Sequence, residues 1–459
     1  MLASLQGMHN ARLTRLALCA AALFATLPAA AAGADSVDPH TIDARGWAAG
    51  TKGGEGGRVI RVTTLAAGGP GSLREAIEAE GPRIVVFEVG GVIDMAGGTL
   101  TIKNPFITIA GQTAPSPGIT VIKAETQVRG SQVIVQHLRF RPGEFGRPKK
   151  GGGDQDGLST VGAVDHVIVD HCSFSWGTDE NLSASGPRFT GETIEQWRAG
   201  TSHQVTYSHN LLYEGLGNSV HEKGEHSKGS LIHDNTRGVL LYRNVYANNR
   251  ERNALFKGGA QGAMVNNLIF NPGTRAVHYN LWKGEWGERA PIIGHVALVG
   301  NVYRMGPDTA PGTPLFSLRG DADVELFLQD NIALDRKGEA VPPTGVYPNA
   351  ASRIQIRTVT VSGLPADVVA MPAAKLEGAL FGAVGARPWD RDALDTQLLR
   401  DTTAGRGKLI HAETENALGG YLKPAPTRRA FIEREWNMLD MSPRAGWGAI
   451  GRLTQAPST

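Results

Sequence analysis

Short apolar runs, each interrupted by a His or Asn and then resumed, recur along this chain. They are VIVQHLRF (133–140), VIVDHCSF (167–174), VTYSHNLLY (205–213), LLYRNVYA (240–247), MVNNLIF (264–270), ALVGNVY (297–303) and LFLQDNIA (326–333). The interrupting residues are His137, His171, Asn210, Asn244, Asn267, Asn301 and Asn331, separated by 34, 39, 34, 23, 34 and 30 residues. The runs lack the three- and four-residue spacing of an amphipathic helix. Hairpins would reverse the order of the motif, yet it repeats in one direction. A parallel β-helix meets both conditions: each coil contributes short strands, and equivalent residues stack on those of the next coil. The shortest separation approximates the bare coil, and longer ones carry insertions. The asparagines are expected to form a ladder, each bonding the next and the backbone at a sharp bend.

The pattern changes at both ends. In GSLREAIEAEGP, Leu73, Ala76 and Ile77 share a helical face, and Ser72 with Glu75 reads as a capping box, which predicts one short helix. IVVFEVGGVIDM, LTIKNPFITIAG and ITVIKAE read as strands. Residues 335–348 end in VPPTGVYP and read as a boundary. Beyond it come one more strand-like run, IQIRTVTV, a helical patch, DRDALDTQLLRD, and a second candidate helix, AFIEREWNML. The expected organisation is a leader at 1–32, a β-helix domain at 33–345 and a partly helical C-terminal extension at 346–459. Such an extension would pack on or cap the coil end, because an open end exposes strand edges.

Composition fits a solenoid: 459 residues are long for one ordinary domain, hydrophobic content is 41%, and 59 glycines suit many tight turns. A net charge of +2 gives no basis for nucleic-acid binding, so any polyanion site must come from local clustering. Arg12 and Arg15 precede LALCAAALFATLPAAAA, which reads as a signal peptide cleaved after about Ala32. Its apolar core is short for a membrane span. The expected location is therefore secreted or periplasmic. Cleavage leaves only Cys172, read as a buried core residue, and hence no internal disulfide.

Candidate chemistry is charged. Asp154 and Asp156 lie in GGGDQDGLS, and Asp179 and Glu180 in WGTDENLS, one coil later. On a strand Asp154 and Asp156 would face one way. Clustered hard oxygen ligands suit Ca²⁺, although solvated loop carboxylates give the same pattern. Lys228, Arg252 and Lys257 offer cations on nearby coils, suited to an extended anionic polymer or to a solvated basic edge. His221, His226 and His233 have spacings of five and seven, which match no tight zinc motif. The WKGEWGE loop at 282–288 offers tryptophan either for sugar stacking or for packing.

At these residues the chain resembles the pectate lyases of the right-handed parallel β-helix, pectin-lyase-like superfamily. The resemblance spans residues 73–331 and rests on VIVDHCSFSWGTDENLS and RNVYANNRERNALFKGG, with support from GQTAPSPGITV and GSLREAI. It implies Arg252 as catalytic base, Lys228 and Lys257 as substrate-binding residues, and Asp154, Asp156 and Asp179 as calcium ligands, with Glu180 beside them. Two departures stand out. Lys257 replaces an arginine and loses its bidentate geometry. Ser183 stands where many members have another Asp ligand. The implied activity is Ca²⁺-assisted β-elimination on polygalacturonate by a monomer with no nucleic-acid or membrane partner. Two alternatives remain: a hydrolase on the same scaffold using Asp156 and Asp179, and a non-catalytic carbohydrate-binding solenoid. Arg250 reads as a bystander. Arg252 and Lys257 are five residues apart, so lining one cleft with both requires a bend near Asn253 and Ala254.

Overall fold

A computed structural model describes residues 39–347 and 354–444. The expected leader lies outside the described residues. Among these, the strands form three long sheets of eleven, nine and ten strands. Each sheet takes one strand from each pass of the chain. In the eleven-stranded sheet, Asp165–Asp170 lies parallel between Val133–Gln136 and His203–Ser208. The fold is the expected right-handed parallel β-helix.

Alternation along the strands builds the core. Val133, Val167, Val205 and Val239 occupy one register position in four coils and all sit in the main apolar cluster. Phe140 and Phe174 stack in the same way, with centroids 5.2 Å apart. Because such contacts repeat from coil to coil, stability grows with every added neighbour.

The asparagine ladder is present. Asn210, Asn244, Asn267 and Asn301 each donate a side-chain N–H to the Oδ1 of the next, at 2.9–3.0 Å, ending on Asn331. Each also donates to a backbone carbonyl of the preceding strand. The two histidines do not belong to this column. Strand register aligns His137 and His171 with His209, one residue before Asn210. Their column continues through Arg243, Asn266 and Gly300, all with φ between +50° and +64°. Left-handed backbone favours Gly, Asn and His over branched residues, so an aligned His marks the bend itself. The rung before Asn210 holds Cys172, whose N–H donates to Asn210 Oδ1 at 2.8 Å. Cys172 is fully buried, as expected.

The N-terminal end is covered. Helix Leu73–Glu78 buries Leu73, Ala76 and Ile77, and Ser72 accepts the Glu75 N–H at 3.2 Å. Glu75 reaches back to the Gly71 N–H rather than to Ser72. Buried Arg83 donates to the helix carbonyls of Ala76 and Ile77, which would otherwise be orphaned. Thr427–Arg428 adds an antiparallel strand beside Val89–Asp94, covering the first edge of the ten-stranded sheet.

The C-terminal residues run along the solenoid. Ile356–Thr358 still pairs with Val324–Gln329, so the last strand of the eleven-stranded sheet falls beyond residue 345. Helix Ala393–Thr403 forms as expected, with Asp392 capping it. Its Asp395, fully buried, accepts from Arg141, Tyr213 and Ser173 at 2.7–3.0 Å. AFIEREWNML is not a helix; only Glu433–Glu435 makes a 3-10 turn. Phe431 and Trp436 instead pack with Ile84, Val86 and Ala110, and extended backbone at Ile432 permits it.

Candidate active site

The charged residues stand at the bend that leads into the nine-stranded sheet. Asp156 precedes strand Leu158–Val161, Glu180 precedes Leu182–Ser185, Lys228 precedes Leu231–Ile232 and Arg252 precedes Leu255–Lys257. These are four successive strands of that sheet. Glu180 pairs in parallel register with Lys228, and Lys228 with Glu251. Glu180, Lys228 and Glu251 thus form one row about 4.8 Å apart per coil, with Arg252 next to it in the chain.

Backbone and amide contacts hold the row. Asp156 accepts the Glu180 N–H at 2.9 Å, and Thr178 N–H donates to the Gln155 carbonyl at 2.9 Å. A second amide relay runs beneath: Asn181 donates to Asn249 at 3.1 Å, and Asn249 to Asn253 at 3.2 Å. Arg252 has φ +61°, which turns the chain before Leu255.

The ion pairs are dense. Lys228 Nζ lies 2.9 Å from Asp179 Oδ1 and 3.9 Å from Glu180 Oε1. Arg252 Nη1 pairs with Glu180 Oε1. Lys228 and Glu180 are almost wholly buried, whereas the Arg252 side chain remains 21% exposed and Asp179 25%. Burial, then repulsion from Glu180 and Asp179, holds the Asp156 carboxyl well above its ordinary range. Burial raises Glu180 too, with Arg252 opposing. Burial also works against the charge of Asp179, but His221, Lys228 and Arg252 hold it well below the usual range. For Arg252 burial pulls down, yet Glu180, Asp179 and Glu251 together raise it.

Oxygens of Asp156, Asp179 and Glu180 lie within 4.8 Å of one another. This donor set fits Ca²⁺, which takes several hard oxygens. Crowding that raises Asp156 is what a divalent cation would relieve.

Four of the seven residues singled out from sequence contact one another here in a chain of ion pairs and close carboxylates: Asp179, Glu180, Lys228 and Arg252. Asp156 joins them through the carboxylate cluster. Asp154 does not: it is exposed and stands outside the three-carboxylate group. Residues 151–156 are not strand, so alternation does not govern their side chains. Lys257 also lies elsewhere. It is bonded to Glu285 and stands 3.4 Å from Asp234, in a cluster with Arg188. The bend at Arg252 exists, but Lys257 ends the following strand and meets partners on other coils. Ser183 accepts the Leu231 N–H at 3.3 Å within the sheet. Arg250 pairs with Glu225.

Sequence reasoning missed Glu125 and set aside two further neighbours, His221 and His226, on their spacing. Glu125, raised chiefly by burial, also feels Asp154 and Asp179, and it heads the strand paired with Leu158–Val161. His221 and His226 stack at 3.6 Å beside Asp179. A long insertion between Tyr213 and Lys228 was the available signal for them. In the WKGEWGE loop, Trp286 is buried against Trp197 and Phe189, while Trp282 is 58% exposed.

Fold and site together define a class: a parallel β-helix whose coil bends line up cations against a carboxylate cluster. No protein-family model matches the chain. A protein named probable pectate lyase C from Aspergillus terreus is 30% identical over 384 residues, covering 82% of this chain and 80% of that protein. Its namesake from Emericella nidulans is 36% identical over 289 residues, covering 63% and 58%. The solved structure of a thermostable pectate lyase superposes with a TM-score of 0.52 at 14% identity, covering 76% of this chain and 99% of that one. The chain belongs to the pectate lyases, a family of polysaccharide lyases.

Proposed function

We propose that this chain cleaves polygalacturonate by β-elimination, with Arg252 as base and Lys228 as the substrate-binding cation. The observation that carries this reading is the pairing of Arg252, partly exposed, with Glu180 beside Lys228 and the Asp156–Asp179–Glu180 cluster. The substrate C5–H lies beside a carboxylate. Arg252 takes that proton, the electron pair forms the C4–C5 double bond, and the C4–O bond breaks with its pair onto the departing sugar, which is protonated by water. Charge builds on the substrate carboxylate during proton loss, and Lys228 would hold it. Asp156, Asp179 and Glu180 would hold calcium, which would supply further stabilisation of that charge. A protonated Arg252 cannot act, so the base must shed the pairing with Glu180 that now favours its charged form.

The hydrolase alternative is less well supported. It needs two carboxylates free to act as acid and as base or nucleophile, whereas Asp179 is held by Lys228 and Glu180 by Arg252. Lys257 keeps a proposed substrate role only at a distance from the Arg252 row, and Asp154 only as an outer ligand. We take residues 33–345 as the catalytic unit and 346–459 as an extension that supports it. The leader pattern at 1–32 supports export, to the periplasm or beyond, and the protein is taken to act as a monomer. Among the described residues no helix is long and apolar enough to cross a membrane. Incubation with polygalacturonate, with and without a calcium chelator, tests the reading through the ultraviolet absorbance of the unsaturated product. Reducing ends without that chromophore would favour the hydrolase.

A further inference from the structure

Asp179 faces two kinds of donor. With Asp156 and Glu180 it forms the oxygen cluster; with His221 and His226 it forms a second group whose ligand atoms also lie within 4.8 Å of one another. His226 Nε2 is 3.4 Å from Asp179 Oδ1, and His221 Nε2 is 3.7 Å from Asp179 Oδ2. Tetrahedral coordination with bonds of about 2.0–2.1 Å separates neighbouring ligand atoms by roughly 3.4 Å. The two rings stack with centroids 3.6 Å apart and planes 23° apart, so one ring tilts for both Nε2 atoms to meet a single ion.

An independent observation points to a ligand. His226 is only 4% exposed, and its Nε2 has no hydrogen-bond partner. Its Nδ1 lies 3.0 Å from the Gly224 carbonyl, to which an N–H there donates, leaving the Nε2 lone pair without a donor and 3.4 Å from Asp179 Oδ1. An orphaned buried nitrogen is costly unless something binds it. His221 accepts the Lys223 N–H at Nδ1, at 3.2 Å. Binding through its Nε2 moves the ring proton to Nδ1 and releases that contact, within a turn at 221–224.

Imidazole with one carboxylate suits a transition-series divalent ion rather than Ca²⁺. We propose that Asp179, His221 and His226 form a second metal site, for an ion of the Zn²⁺, Co²⁺ or Ni²⁺ type, whose occupancy opposes catalysis. The opposition, which rests on the lyase reading above, arises because Asp179 is shared. An ion on the imidazole side displaces Lys228 from Asp179, 2.9 Å away, and withdraws a ligand from the calcium set.

Cobalt titration of the metal-stripped full chain tests the site without any assay of catalysis. Visible ligand-field bands should develop in the parent and in Asp156→Asn. The cobalt affinity read from these bands should fall in His221→Gln and in His226→Gln by more than the factor of about 10–100 that loss of an outer-shell partner costs. Thermal melting of each variant establishes that it is folded. No bands in the parent, or bands that survive both histidine substitutions, would overturn the site. The second arm measures product formation at fixed calcium as Zn²⁺ rises. Inhibition in the parent that is blunted in His226→Gln supports the antagonism. Zinc-insensitive activity, with cobalt bound through the histidines, would refute the antagonism while leaving the site. A chain that binds cobalt but cleaves no uronate polymer would refute the lyase reading instead.

Discussion

Arg252 pairs with Glu180 across two coils of the solenoid, reaching past the coil that contributes Lys228. The span is about 9.6 Å at the usual strand spacing. Glu180 is one of the groups that raise Arg252 above its ordinary range. A raised base pKa delays the neutral form to higher pH. Glu180→Gln is therefore expected to move the rising limb of the kcat/KM profile to lower pH, measured at saturating calcium. A limb that stays in place would separate Glu180 from control of the base.

The asparagine ladder predicts a graded cost. Asn267 donates to Asn301 and the Leu241 carbonyl and accepts two N–H groups from Asn244, all fully buried. Asn267→Ala orphans several of these at about 1–3 kcal/mol each. Asn331 closes the ladder where it is partly exposed. Asn331→Ala should lower the melting temperature much less than Asn267→Ala.

Asp395 ties the C-terminal segment to the coils. It is fully buried against Arg141 at 3.0 Å and Arg139 at 3.4 Å. Asp395→Ala leaves buried guanidinium groups without this partner, a change that typically costs about 3–5 kcal/mol. Limited proteolysis should then cut within residues 364–444 under conditions where the parent resists.

Much of this architecture could be read from the chain, for a physical reason. A solenoid repeats its packing, so Asn244, Asn267 and Asn301 announce the coil directly. His137 and His171 mimic that signal because Asn and His both tolerate the left-handed bend next to the ladder. The Arg252 row was legible as types of residue on neighbouring coils. Lys257 was not, since its partners Asp234 and Glu285 come from loops whose course no periodicity specifies. His221 and His226 were hidden likewise: an insertion returns them to Asp179, and their spacing matches no local motif. Phe431 and Trp436 look helical in sequence, but contact with Ile84 and Val86 outweighs that weak propensity.

Glu214 predicts a pH effect away from the cleft. Burial pushes its carboxyl up to about 7, opposed by the Trp176 indole N–H and Arg141. A raised acid pKa means the folded state holds its proton longer than the unfolded chain does. That contribution is complete below about 4.5 and is lost as pH rises through about 7. Glu214→Gln should flatten the melting temperature between these limits and raise it above pH 7. Unchanged pH dependence would show that Glu214 ionises normally.

The central claim is that Arg252 removes the substrate proton in a calcium-dependent elimination. The most direct measurement is the initial rate of ultraviolet absorbance on polygalacturonate for the parent and Arg252→Ala, each with calcium and with chelator. The parent should form the chromophore only with calcium. Arg252→Ala should fall by about 100-fold or more, the scale of a lost general base, while still binding the polymer. An Arg252→Ala protein that eliminates at the parent rate would contradict the assignment.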